Sequence, residues 1–134
     1  MDALQSLREG FAGLSIDIKA ILTHKGEEGK INQVFRGIEH VTWNSYRFNE
    51  QWDAPLDLHL YHEIIGSEKA TALPLVERYG PFEGGSIEAE TRLTHEFSVV
   101  HRLIQKYSPD LVLFCKQPES ATEYLLYKLA RHYA

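Results

Sequence analysis

Cysteine is almost missing from this chain. Cys115 is the only one among 134 residues, which excludes an internal disulfide framework and a thiolate cluster for zinc, and a reducing cytoplasm is the expectation. Long apolar runs are lacking too. No window approaches the roughly 20 apolar residues that a membrane-spanning helix requires, so no membrane span is expected. The first residues have no basic start followed by an apolar core, and they read as neither a signal peptide nor an anchor. Positive charge is also in short supply: nineteen acids against fourteen lysines and arginines leave a formal charge of -5. The cations are scattered rather than gathered into the basic stripe that phosphate backbones want, so nucleic acid is not an expected partner.

Several chemical signatures are absent as well. There is no Gly-x-Gly-x-x-Gly after a strand, no Walker-type phosphate loop and no Gly-x-Ser-x-Gly nucleophile elbow. Dinucleotide binding and serine hydrolysis therefore lack their sequence basis, and neither a cofactor nor a metal is expected. What remains is ordinary for a folded protein: 43% apolar and 11% aromatic residues suit one single domain over 1–134, large enough to bury a core without staples.

Periodicity divides the chain into elements. Leu4, Leu7, Phe11 and Leu14 recur at helical spacing over residues 2–13, and Ile16, Ile18, Ala20 and Leu22 then alternate as in a strand that ends near His24. A turn at Gly26 and Gly29 precedes a short helix over 30–36, and residues 38–43 read as a second short strand. The aromatic, polar stretch 43–52 has no clear period and reads as a loop. Residues 56–65 mix alternation with helical spacing, and Pro74 makes the next helix short or kinked.

The signal sharpens over residues 86–107, where Ile87, Leu93, Phe97, Val100, Ile104 and Tyr107 recur at steps that define one long amphipathic helix. Ser86 is its expected N-cap, and Pro109 forbids its continuation. Residues 111–115 form a continuous apolar run, the pattern of a strand covered on both faces in a parallel sheet. A last helix is expected from about Ala121 to Tyr133. This order predicts an α/β fold: a Rossmann-like open, mainly parallel sheet with flanking helices.

In such sheets ligands bind beyond the carboxyl ends of the strands, which points to the loop of Gln117, Pro118, Glu119 and Ser120 and to the helix N-terminus that follows. Ser120 and Glu123 fit a capping box. Glu119 projects from the loop as a candidate for a ligand or catalytic role, and Pro118 stiffens the joint. His24, at the end of the first strand, lies at the same sheet edge if both strands run parallel. Cys115 reads as a small buried hydrophobe. His59 and His62 share a helical face but lack the motif order of a zinc protease.

Residues 97–133 carry a family likeness. The frame of a helix, then Pro109, Asp110 and an apolar run through Phe114, then Pro118, then Glu123 through Ala130, resembles the N-terminal domain of bacterial capsular polysaccharide biosynthesis proteins similar to GT-B glycosyltransferases. The resemblance covers about the last forty residues. It implies the acceptor-side domain of a transferase of surface-polysaccharide assembly, with a sugar or nucleotide-sugar ligand. It implies Glu119 as base for an acceptor hydroxyl, His24 as a second catalytic residue, and Gln117, Pro118 and Ser120 as substrate-binding residues. A GT-B enzyme needs two Rossmann-like halves and this chain supplies one, so a second such domain or a homodimer is the implied partner and the chain alone is expected to be silent.

A reading of a different class stands beside it: a protein-interaction or self-associating module without catalysis. Its candidate surfaces are the aromatic stretch 43–52 and the helix bearing Tyr124, Tyr127 and Tyr133, since tyrosine and tryptophan bury much area at small entropic cost.

Overall fold

The long amphipathic stretch is the element on which the C-terminal part of the chain is built. In the computed structural model, which describes residues 3–24, 26–43, 55–78, 85–114 and 117–134, the chain falls into two compact units, Met1–Arg47 and Phe48–Ala134.

In the first unit, helix α1 (Ala3–Phe11) is followed by strand β1 (Ala20–His24), helix α2 (Glu28–Val34) and strand β2 (Glu39–Trp43). The two strands pair in parallel, with Ala20 opposite Glu39 and His24 opposite Trp43. Parallel neighbours cannot be joined by a tight hairpin, and here α2 makes the crossover. Gly37 takes φ +80° just before β2, a left-handed conformation that suits a residue without a Cβ. Among the described side chains of this unit, Ile31, Phe35 and Val41 are buried and apolar.

In the second unit, helices α3 (Leu58–Ile65), α4 (Lys69–Glu77), α5 (Gly85–Tyr107) and α6 (Ala121–Tyr133) pack together. Asp57 caps α3 by accepting a hydrogen bond from the Leu60 amide at 3.0 Å. Pro74 lies inside α4, where it has no amide hydrogen to donate. Along α5 the residues at three- and four-residue steps, Ala89, Leu93, Phe97, Val100 and Ile104, are buried. They meet Leu125 and Leu129 of α6, Tyr61 and Ile65 of α3, and Ala72 and Val76 of α4 in one core. Helix α5 begins at Gly85, so the expected cap Ser86 lies inside its first turn, and Ile87, expected on the apolar face, is 77% exposed. At the other end Ser108 has φ +41° and Pro109 lacks the amide hydrogen that a further helical turn uses.

The expected fold class is corrected. Among the described residues there are six helices and one two-stranded sheet, so the architecture is mostly helical rather than a Rossmann-like open sheet with flanking helices. The run expected to form a doubly covered strand has no regular secondary structure over residues 111–114 and, among the described residues, joins no sheet: both strands lie in the other unit. Its side chains alternate. Val112 packs against the helical core, whereas Leu111 is 64% and Leu113 56% exposed. An unbroken apolar run is ambiguous because hydropathy reports what the side chains prefer and not whether a neighbouring backbone is there to pair with. The segment follows α5, and of Leu111, Val112 and Leu113 it is Val112 that packs against the helical core.

This arrangement sets unequal costs for two leucines. Leu125→Ala, which empties a fully buried site, should destabilise the protein by about 2–5 kcal/mol in urea unfolding. Leu113→Ala should stay within about 0.5 kcal/mol, as surface changes do. Equal and large losses at both positions would restore the buried strand.

Candidate functional site

The loop of Gln117, Pro118, Glu119 and Ser120 leads into α6, and its local geometry follows from one side chain. The Glu123 carboxylate accepts hydrogen bonds from the amides of Glu119 at 2.9 Å and Ser120 at 3.1 Å. The Ser120 hydroxyl accepts in turn from the Glu123 amide at 3.2 Å. The capping box expected from sequence is therefore present. It also places a carboxylate at the positive end of the helix, where an incoming anion meets negative charge as well as partial positive charge. Arg78, at the end of α4, donates to the Glu119 carbonyl oxygen at 3.2 Å. Gln117 and Glu119 are exposed, Pro118 is half-buried and Ser120 is buried.

Beside this loop sits a residue that the sequence reading missed. Glu96 of α5 is buried, yet its carboxylate is held at both oxygens: Arg92 donates through Nε at 3.1 Å, and Thr122 of α6 donates its hydroxyl at 3.1 Å. Burial pushes the Glu96 carboxyl above its ordinary value of 4.5, against the opposing pull of Arg92 and Thr122. The signal was in the spacing, because Glu96 stands three residues after Leu93 and four before Val100, on the apolar stripe itself. A charged residue at a core position announces a partner.

Two more polar ties fasten α6. Glu68, at the start of α4, accepts from the Tyr124 hydroxyl and from Lys128 at 2.7 Å. Those hydrogen bonds, Lys128 first, hold its carboxyl below the usual range. Burial, followed by the neighbouring Glu68, pushes the Tyr124 phenol upward. At the far end, the His101 Nε2 lies 2.8 Å from the Tyr133 hydroxyl, and the two rings stack at 6.0 Å. His132 and His59 both approach Glu63, at 3.9 and 4.0 Å. Of the three tyrosines read as an interface, Tyr124 is thus bound within the fold. Tyr133 is half in water against His101, and Tyr127 is exposed with Arg131 donating to its hydroxyl at 3.0 Å.

The residues expected to share a cleft divide between the two units. His24 ends β1 in Met1–Arg47, whereas Gln117, Pro118, Glu119 and Ser120 belong to Phe48–Ala134, where they gather with Arg78, Glu123 and Thr122. Among the described residues no sheet contains strands from both groups. Residues 44–52 of the aromatic stretch, and Cys115, lie outside the described residues. His59 and His62 are exposed on α3, and among the described residues no group of three or more metal-ligating side chains converges. The chemistry of the α6 cluster is that of attachment: the polar contacts of Glu96, Glu68 and His101 described above tie one helix to another or to its own turn.

These ties give the stability a pH dependence with two signs. Burial lowers the His101 pKa from its ordinary 6.5. The unfolded chain then binds the proton more readily, so this contribution is complete above pH 6.5 and is lost as pH falls from there towards the lowered folded value. Glu96 acts oppositely: its folded pKa is raised, so its contribution is complete below 4.5 and is lost as pH rises through the raised value. Urea unfolding of His101→Phe should show a smaller loss of stability between pH 7.5 and the acid side of 6.5 than the parent chain. An unchanged slope would remove His101 as its source.

Comparison with protein-family models, with curated proteins and with solved structures finds no match to this chain.

Proposed function

We propose that this chain is a self-associating interaction module and that residues 111–114 of the helical unit are its docking edge. The observation that carries this reading is a segment without regular secondary structure that makes no backbone hydrogen bond among the described residues while holding Leu111 and Leu113 in water. An unpaired apolar edge is a template for pairing with another chain.

A second copy is the occupant that the geometry favours. Two antiparallel copies related by a two-fold axis through Val112 place Leu111 of one opposite Leu113 of the other, on the same face, so the exposed leucines cover each other. The same register sets Asp110 opposite Phe114, and the two aspartates never meet. Shifting by one residue would bring the inward face of one strand against the outward face of the other, and the one-sided packing of Val112 forbids it. Four residues bury far less than the roughly 1,200–2,000 Å² of a stable interface, which points to a weak and reversible dimer.

The sugar-transfer reading finds less support. It needed a cleft at the end of a covered strand, and it retains only the sequence likeness of residues 97–133.

Sedimentation velocity across a concentration series tests the dimer. The parent chain should shift from monomer to dimer with a Kd on the order of 10–1,000 µM. The double change Leu111→Lys and Leu113→Lys should remain monomeric with an unchanged circular dichroism spectrum. A parent chain that stays monomeric throughout, or a lysine variant that still pairs, refutes the edge.

A further inference from the structure

The first unit contains a pocket that the self-association reading does not use. It lies between α1 and the end of α2 and is lined by Arg8, Gln33, Val34, Phe35, Arg36 and Ile38, with a volume of about 490 Å³. That is within the roughly 300–1,000 Å³ of small-molecule sites. Phe35 is buried, Val34 and Ile38 are half-buried, and Arg8, Gln33 and Arg36 are exposed. The pocket thus has an apolar wall and a polar, cationic rim.

The two arginines set it apart. Neither guanidinium makes a hydrogen bond or ion pair with a described residue, in a chain where acids outnumber lysines and arginines by nineteen to fourteen. Arg8 comes from the last turn of α1 and Arg36 from just past α2, and both line the same pocket. An anion seated there meets two positive side chains. Guanidinium groups present planar forks of donors that match carboxylate and phosphate oxygens two at a time.

We propose that this pocket binds a small organic oxyanion, its carboxylate or phosphate held by Arg8 and Arg36 and its apolar or aromatic body laid against Phe35, Val34 and Ile38. The Gln33 amide, which can both donate and accept, suits a hydroxyl or ether on the same ligand. This inference is independent of the docking edge, because pocket and edge belong to different units and either can fail alone.

Phenyl phosphate and benzoate are suitable probes, with inorganic phosphate and phenol supplying the charge and the ring separately. Titrated into the full chain and followed by amide chemical shifts, one or both probes should saturate at one site, with a Kd at or below about 1 mM. The shifts should centre on residues 33–38. Phosphate and phenol should bind at least about tenfold more weakly, each lacking half of the recognition. Arg8→Gln and Arg36→Gln should each weaken binding about tenfold, and Arg36→Lys should weaken it less, keeping the charge but losing the fork. Spectra that retain the parent pattern establish that these variants are folded. Absence of saturable binding by either probe up to about 10 mM overturns the site, as does unchanged binding by the folded glutamine variants.

Discussion

The docking of α6 onto α5 is the constraint from which the rest of the C-terminal unit follows. Phe97, Leu125 and Leu129 are fully buried at this junction, and each large apolar side chain so placed contributes about 1.5–3 kcal/mol relative to exposure. Apolar contact alone leaves the helix free to slide, because it has little directional preference. The polar ties remove that freedom. Thr122 is pinned to Glu96, Tyr124 and Lys128 to Glu68, and Tyr133 to His101, so α6 is fixed along its length against α5 and α4. Between the two helices Val112 packs against this core while Leu111 and Leu113 stay exposed.

Much of this was legible in the sequence, and the failures share a cause. The stripe of Leu93, Phe97, Val100 and Ile104 identified α5, Ser120 and Glu123 identified the start of α6, and the alternation up to His24 identified the end of β1, although Ile16 and Ile18 precede its first residue, Ala20. Each of these signals is local, resting on contacts within a few turns. The reading of residues 111–115 as a central strand depended on partners elsewhere in the chain, which a run of apolar residues does not specify. The Rossmann-like sheet fell with it. Glu96 was overlooked for the complementary reason: its acid character suggested solvent, while its position on the stripe required burial.

The candidate site changes character accordingly. The α6 N-terminus looked like an anion cradle while its amides were taken to be free, and Glu123 occupies two of the amides that lead into it. Glu119 then belongs to a loop fastened by Arg78. Two groups of described residues offer themselves for recognition: exposed leucines on an unpaired segment in one unit, and arginines around an apolar pocket in the other. Neither arrangement assembles a nucleophile with a base and an orienting group, and both are suited to binding.

Hydrogen exchange read amide by amide tests the central structural claim most directly. In dilute solution the amides of residues 111–114 should exchange far faster than those of Val100 and Ile104 in α5, and should gain protection as the concentration rises. Slow exchange over 111–114 at the lowest concentration, matching the centre of α5, would mean that the segment is hydrogen-bonded within a single chain, and would contradict both the helical architecture and the edge.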